Sequence, residues 1–314
     1  MTTSLITSPK YKNHLTGPGF PESPARLDAI IDHLESTGII KNLDVIEPTR
    51  MDQNICKLVH GEEYVERVRH ACEFGAPIVD TVDNPISKDS YDTALLAAGG
   101  IAEAVDSVFT GKSNNSMVLL RPPGHHAEKD MAMGFCLFNN VAIAARYAQQ
   151  NYDVEKVVII DFDVHHGNGT QHIFEKDPTV MYISSHQYPF YPGTGSSFEA
   201  GTGAGRGTTI NYPLDPEVGD KELIDIFDNS ISDHILKYNP DLIVISSGFD
   251  AHWDDPIGGL RVTTEGFYNI TKTINKLSQE VCGGKIVSSL EGGYNLKALA
   301  ESVEAHLIAL KGES

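Results

Sequence analysis

Seven short, mostly apolar runs recur along the chain, at 43–46, 117–120, 156–160, 180–184, 208–212, 241–246 and 285–290. Most are rich in Val and Ile, and few are broken by polar residues. Strands covered on both faces look like this, because neither face has to alternate towards water. Between the runs lie stretches with helical spacing, at 25–36, 62–74, 91–109, 139–150, 221–238, 264–281 and 296–310. In the first of these, Leu27, Ile30, Ile31 and Leu34 form the apolar stripe, and Ser23-Pro24 marks its start. Alternating strands and helices predict an α/β fold around a mainly parallel sheet. The chain has no internal repeat and no linker rich in Pro, Ser or charge, so residues 1–314 are expected to form a single domain. The glycine-rich piece 193–207 runs straight into the strand-like "GTTINYPL" and reads as a long surface loop.

Open parallel sheets bind ligands beyond the carboxyl ends of their strands. Five of the apolar runs end in unusual polar sequence. These ends are "RPPGHHAE", "DFDVHHGNG", "SSHQYPFYPGTG", "SSGFDAHWDDP" and "EGGYN". Glycine, aspartate and serine suit turns and helix caps, which accounts for any one of them alone. Six histidines and several carboxylates spread over the set do not reduce to capping.

In an extended segment alternate side chains share a face, so Asp161, Asp163 and His165 point one way and Phe162, Val164 and His166 the other. Asp163 and His165 supply one oxygen and one nitrogen donor for a first-row metal, and Asp250 of "SSGFDAH" is the candidate third. Two carboxylates and a neutral imidazole balance a zinc ion and leave a position for water, as catalytic zinc requires. The competing reading makes Asp163 a cap and His165 a buried, hydrogen-bonded histidine. The pair His125-His126 can supply a general base and an electrostatic partner, each needing an acceptor to fix its tautomer. Asp161 and Asn168 are the acceptors nearby. Tyr294, after two glycines at a strand end, offers a phenol to a developing oxyanion, or else is a core or rim tyrosine.

Charge narrows the partners. With 24 basic against 43 acidic residues the formal charge is −19, which repels nucleic acid phosphate. The acidity serves solubility, or it attracts basic partners such as lysine-rich proteins and polyamines. Cys56, Cys72, Cys136 and Cys282 show no C-x-x-C spacing, so neither a thiolate zinc site nor a disulfide framework is expected. The N-terminus lacks a secretory signal pattern, and no apolar run reaches the ~18 residues of a membrane span. A cytoplasmic protein without membrane contact is expected, and a homo-oligomer is left open. His33, His70, His234 and His306 lie on the helical stretches and are expected to be solvated, while His14 and His60 fall in loops without a motif.

The blocks "RPPGHHA", "GFCLFNN", "DFDVHHGNGTQ", "YPGTG", "SSGFDAHWDDP" and "EGGY" resemble, in order and spacing, those of the zinc-dependent histone deacetylases. The resemblance runs from "GFPESPARL" at 19–27 to Tyr294. Asn168 makes it similar to the class II branch and its bacterial amidohydrolase relatives. What it implies is the arginase–deacetylase α/β fold, with about eight strands and flanking helices. It implies zinc on Asp163, His165 and Asp250, His126 as base and then acid, and His125 as a charged partner held by Asp161. Asn168 would orient His126, and Tyr294 would polarise the scissile carbonyl. Gly134, Phe135 and Tyr191 would line a tunnel for an acyl-lysine stem, with Ile257 at its rim. A structural K+ would use Asp161, Asp163, His165, Ser184 and Ser185, and a second monovalent site would lie near Phe174, Asp177 and Val180. Asp83 aligns loosely with a rim aspartate that holds the substrate backbone.

The implied activity is removal of acetyl or other short acyl groups from the ε-amino group of lysine, in a protein, a peptide or an acylated small amine. The rivals are acetylpolyamine amidohydrolases, arginase-like enzymes with two manganese ions, and a non-catalytic module. Polyamine-selective relatives carry an acidic residue at the rim, where Ile257 is apolar. The dimanganese pattern needs a second aspartate where Gly167 stands.

Overall fold

The computed structural model describes residues 2–312. Its strands are β1 (Thr3–Thr7), β2 (Asp44–Ile46), β3 (Asn115–Leu119), β4 (Val157–Asp161), β5 (Val180–Gln187), β6 (Thr209–Leu214), β7 (Leu242–Ser247) and β8 (Ile286–Leu290). They pair into one sheet in the order β2-β1-β3-β8-β7-β4-β5-β6, and every pairing is parallel. Because all strands run the same way, every carboxyl end opens on one edge. The five polar sequence blocks follow β3, β4, β5, β7 and β8 and therefore meet there.

Every residue of β3, β4, β5, β7 and β8 is buried, both alternating sets included. That explains their near-continuous apolar sequence. Helices α1 (Ala25–Thr37), α2 (Glu62–Glu73), α3 (Ser90–Phe109), α4 (Asn140–Asn151), α5 (Asn168–Phe174), α6 (Asp220–Ile226), α7 (Ser232–Tyr238), α8 (Thr264–Val281) and α9 (Leu296–Lys311) complete the fold. α3 and α4 pack on one another and on the central strands, while α9 packs against α1 and α8.

The structure departs from the sequence pattern at a few places. β1 carries Thr, Ser and Thr, which hides it from an apolar-run search. It forms because it is sandwiched between β2 and β3, where Thr3 Oγ1 donates to Asn115 Oδ1 at 2.7 Å. The stretch 221–238 is helical throughout, as its spacing predicts, but a π-type turn at Phe227–Ile231 lies between α6 and α7. There the Ser232 hydroxyl bonds the Phe227 carbonyl at 2.7 Å, five residues back, widening the coil. α5 is only seven residues long and escapes periodicity altogether.

His306 is not solvated. It is fully buried between Thr271 Oγ1 (2.7 Å) and Ser288 Oγ (2.9 Å), because α9 is covered by α1 on one side and α8 on another. His14 and His60 are buried as well. No described helix is long and apolar enough to cross a membrane.

Candidate active site

The loop after β3 carries the histidine pair. Glu291, just past β8, accepts from the backbone N–H groups of Gly124 (2.7 Å) and His125 (3.2 Å) and holds this loop to the neighbouring strand end. A side chain at Gly124 would collide with Asn140 N and the Phe138 carbonyl, so only glycine fits there. The two imidazole centroids lie 4.0 Å apart. His125 Nδ1 faces Asp161 Oδ2 at 3.0 Å, and the Tyr182 hydroxyl donates to that same oxygen at 3.0 Å. Burial opposes charge on His125, but Asp161 and Asp163 outweigh it and hold its pKa up to about 10. His126 Nδ1 faces Asn168 Oδ1 at 2.7 Å. Burial, then the charge of His125, keeps His126 well below the ordinary histidine range.

Asp163, His165 and Asp250 converge beneath this pair. Their donor atoms all lie within 4.8 Å of one another, and all three residues are buried. Each carboxylate spends an oxygen on backbone: Gly292 N donates to Asp163 Oδ2 and Val164 N to Asp250 Oδ1, both at 2.9 Å. Asp163 Oδ1 and Asp250 Oδ2 then turn towards His165 Nδ1, at 3.0 and 3.2 Å. One ring nitrogen carries at most one proton and cannot bond both, and Asp250 Oδ2 has no hydrogen-bond partner. Burial, then the facing Asp163 carboxylate, pushes Asp250 up to about 7.

These separations suit donors sharing one small cation, since tetrahedral bonds of ~2.0 Å put neighbouring donors about 3.3 Å apart. Backbone packs closely against both carboxylates: a Cβ at Gly248 would lie 2.0 Å from Asp163 Oδ2, and one at Gly292 would lie 2.1 Å from Asp250 Oδ2. A donor set of two carboxylates and one imidazole fits a divalent first-row ion.

Above the cluster opens a pocket of about 310 Å³. Its walls include Phe135, Phe190, Tyr191, Ile257 and Tyr294, with His125, His126 and His165 at its floor. Two larger hollows, of about 550 and 830 Å³, lie elsewhere and contain no histidine. Gly134 and Phe135 both take positive φ (59° and 68°), a turn that brings Phe135 against Tyr294 with ring centroids 5.9 Å apart. A Cβ at Gly134 would meet the His126 ring at 2.3 Å. Phe190 stacks on His165 at 5.3 Å and 16°. Burial pushes the Tyr294 phenol well above its usual range.

The expected residues are thus brought together: the histidine pair with Asp161 and Asn168, the three candidate ligands, and the pocket walls. His166 turns away, to Thr194 and Gln171. Ser184 Oγ pairs with His186 Nδ1 at 2.8 Å, while Ser185 Oγ is buried without a hydrogen-bond partner. Asp177 binds Arg146 and Thr179. Asp83 sits in the pocket lining and accepts from Gly134 N at 3.1 Å. Sequence reasoning missed Glu291, Tyr182 and Phe190. Glu291 and Phe190 lay inside quoted motifs, so their position at strand ends was the available signal. Tyr182 lies within an apolar strand and gave none.

The model of the histone deacetylase domain matches residues 20–310. The chain belongs to the histone deacetylase family. That makes it a deacetylase-family hydrolase, in a family that is zinc-dependent in general. It is similar to the "Histone deacetylase 10, chloroplastic" of Oryza sativa subsp. japonica, with 39% identity over 311 residues, 93% of this chain and 70% of that one. It is similar to the Homo sapiens "Polyamine deacetylase HDAC10", with 36% identity over 93% of this chain and 45% of that protein. The crystal structure of the HDA15 HD domain superposes with a TM-score of 0.95 at 38% identity, covering 100% of this chain and 90% of that one.

Proposed function

We propose that the chain is a zinc-dependent amide hydrolase, acting as one catalytic domain, that removes acetyl or other short acyl groups from the ε-amino group of lysine. The observation that carries this reading is the convergence of Asp163, His165 and Asp250 beneath an apolar pocket, beside an imidazole held neutral. Zinc bound by those three side chains would polarise the scissile carbonyl and acidify a water.

The chain's own groups do the rest. His126, with Nδ1 committed to Asn168, offers Nε2 to take a proton from the attacking water and return it to the leaving amine. His125, held cationic by Asp161, places fixed positive charge beside the reacting carbonyl. Tyr294 keeps its O–H and donates it to the carbonyl oxygen as negative charge develops. Phe135, Phe190 and Tyr191 enclose an unbranched stem and exclude water along it. The reading includes a structural K+ near Asp161, Asp163, His165, Ser184 and Ser185, supported by the full burial of Asp161 and the unpartnered Ser185 hydroxyl. Four buried free cysteines fit a reducing compartment such as the cytosol.

An acylated polyamine is the second substrate reading, favoured by the net charge of −19 and by Asp83 in the pocket lining. Apolar Ile257 in the same lining favours neutral stems. The test is a panel of acyl-lysine peptides beside acetylated polyamines, assayed with zinc and with a hydroxamate control. His126→Ala and Tyr294→Phe should each lower turnover at least ~100-fold. Near-wild-type turnover in either variant overturns the role given to that residue.

A further inference from the structure

Two residues beyond His126 stands Glu128, mostly buried, in a cluster of hydrogen-bonding side chains. Asn168 Nδ2 donates to Glu128 Oε1 at 2.5 Å and lies 3.3 Å from the His126 carbonyl. Asn168 Oδ1, the other end of the amide, faces His126 Nδ1 at 2.7 Å. His172 Nδ1 reaches the same Glu128 oxygen at 2.7 Å. Asn168 and His172 are four apart on α5, so one face of that helix presents both to a single carboxylate.

The orientation of the amide decides which nitrogen of His126 is free. An asparagine amide is nearly symmetric in shape, and a half-turn exchanges its acceptor for its donors. With Oδ1 towards the ring, Nδ1 must carry the proton, and Nε2 is left with a lone pair facing the pocket. With Nδ2 towards the ring, Nδ1 must accept, the proton moves to Nε2, and the base is blocked. A carboxylate can only accept. Turning the amide round would press Asn168 Oδ1 against Glu128 Oε1 at the present 2.5 Å contact. We infer that Glu128 is a positioning residue that fixes the tautomer of His126 through Asn168, with His172 holding Glu128 in place. This rests on the reading of His126 as the general base.

The experiment uses the zinc-loaded enzyme with ¹⁵N-labelled histidine, combining steady-state kinetics with the NMR assignment of the protonated nitrogen of His126. Wild type should show Nδ1–H. Glu128→Ala should lower kcat about tenfold or more, as lost support of a reacting group does, with KM within about twofold. Its His126 should show an Nε2–H population. Glu128→Gln keeps an acceptor oxygen but its amide can also turn to donate, so it should fall between wild type and Glu128→Ala in both Nδ1–H population and turnover. In an Asn168→Asp background no amide remains to be oriented and Glu128 would face a like carboxylate, so adding Glu128→Ala should lower kcat no further and should recover part of the loss. Retention of wild-type kcat and Nδ1–H by Glu128→Ala overturns the inference. An equal loss from Glu128→Ala in both backgrounds also overturns it, because a purely structural role predicts that additivity. If wild type turns over no acyl amide, the functional reading fails, and the ring measurement alone decides this one.

Discussion

The Tyr191 hydroxyl donates to Asp83 Oδ2 at 2.9 Å across the mouth of the pocket, joining residues 108 positions apart. The same oxygen accepts from Gly134 N, so one carboxylate ties both walls of the rim. Tyr191→Phe removes one tie, and Asp83→Ala removes both. Hydrogen bonds to a charged group contribute about 1.5–3 kcal/mol, less where partly exposed as here. KM for an acyl-lysine peptide should therefore rise several-fold in Asp83→Ala and less in Tyr191→Phe, with kcat moved less than KM. Steady-state kinetics check the order, and a larger effect from Tyr191→Phe contradicts it.

Removing a divalent ion from the Asp163–His165–Asp250 cluster should lower stability as well as activity. A ligand at ~100 times its Kd stabilises the folded state by about 2.7 kcal/mol. Chelated protein should melt several degrees lower and recover on addition of zinc. Asp250→Ala should bind no stoichiometric zinc by metal analysis, and its melting temperature should be insensitive to the ion.

Three buried histidines should make the fold sensitive to mild acid. Burial lowers His14 and His60 to about 4 and His306 to about 3, from an ordinary 6.5. Below pH 6.5 the unfolded chain binds protons that these folded sites refuse. Their stabilising effect is thus complete above about pH 6.5 and is lost as pH falls towards 4 and 3. The slope is about 1.4 kcal/mol per pH unit for each group fully engaged. Urea midpoints of chelated protein should drop between pH 7.5 and 5, and His306→Asn should flatten that drop.

Glu22 sits between two guanidinium groups with no exposure of any partner, receiving Arg121 Nη2 at 2.7 Å and Arg26 Nη1 at 3.1 Å. Burial alone would raise its pKa, but Arg121 and Arg26 outweigh burial and hold it down to about 2. Glu22→Ala leaves both cations buried and unpaired, which costs about 3–5 kcal/mol. Arg26 also bonds the Gly293 carbonyl at 2.7 Å and lies 5.1 Å from the Tyr294 ring centroid. Turnover should fall along with the urea midpoint. Unchanged stability would show that the cluster is not the anchor described.

The sequence by itself determined the α/β alternation, the bounds of α8 at 264–281, and the strand ends at which the reactive side chains gather. Those features are local: burial on both faces writes an apolar run, and a run that opens onto a cleft must end in polar residues. The Asp163–His165 spacing was legible for the same reason, since strand geometry places both on one face. Only the tertiary structure decided that β1 pairs between β2 and β3 despite its hydroxyls, that α9 buries His306, and that Glu128 and Asp83 reach Asn168 and Tyr191. Each of these depends on which distant elements the strand order brings together, and a residue's local pattern carries no record of its remote neighbours.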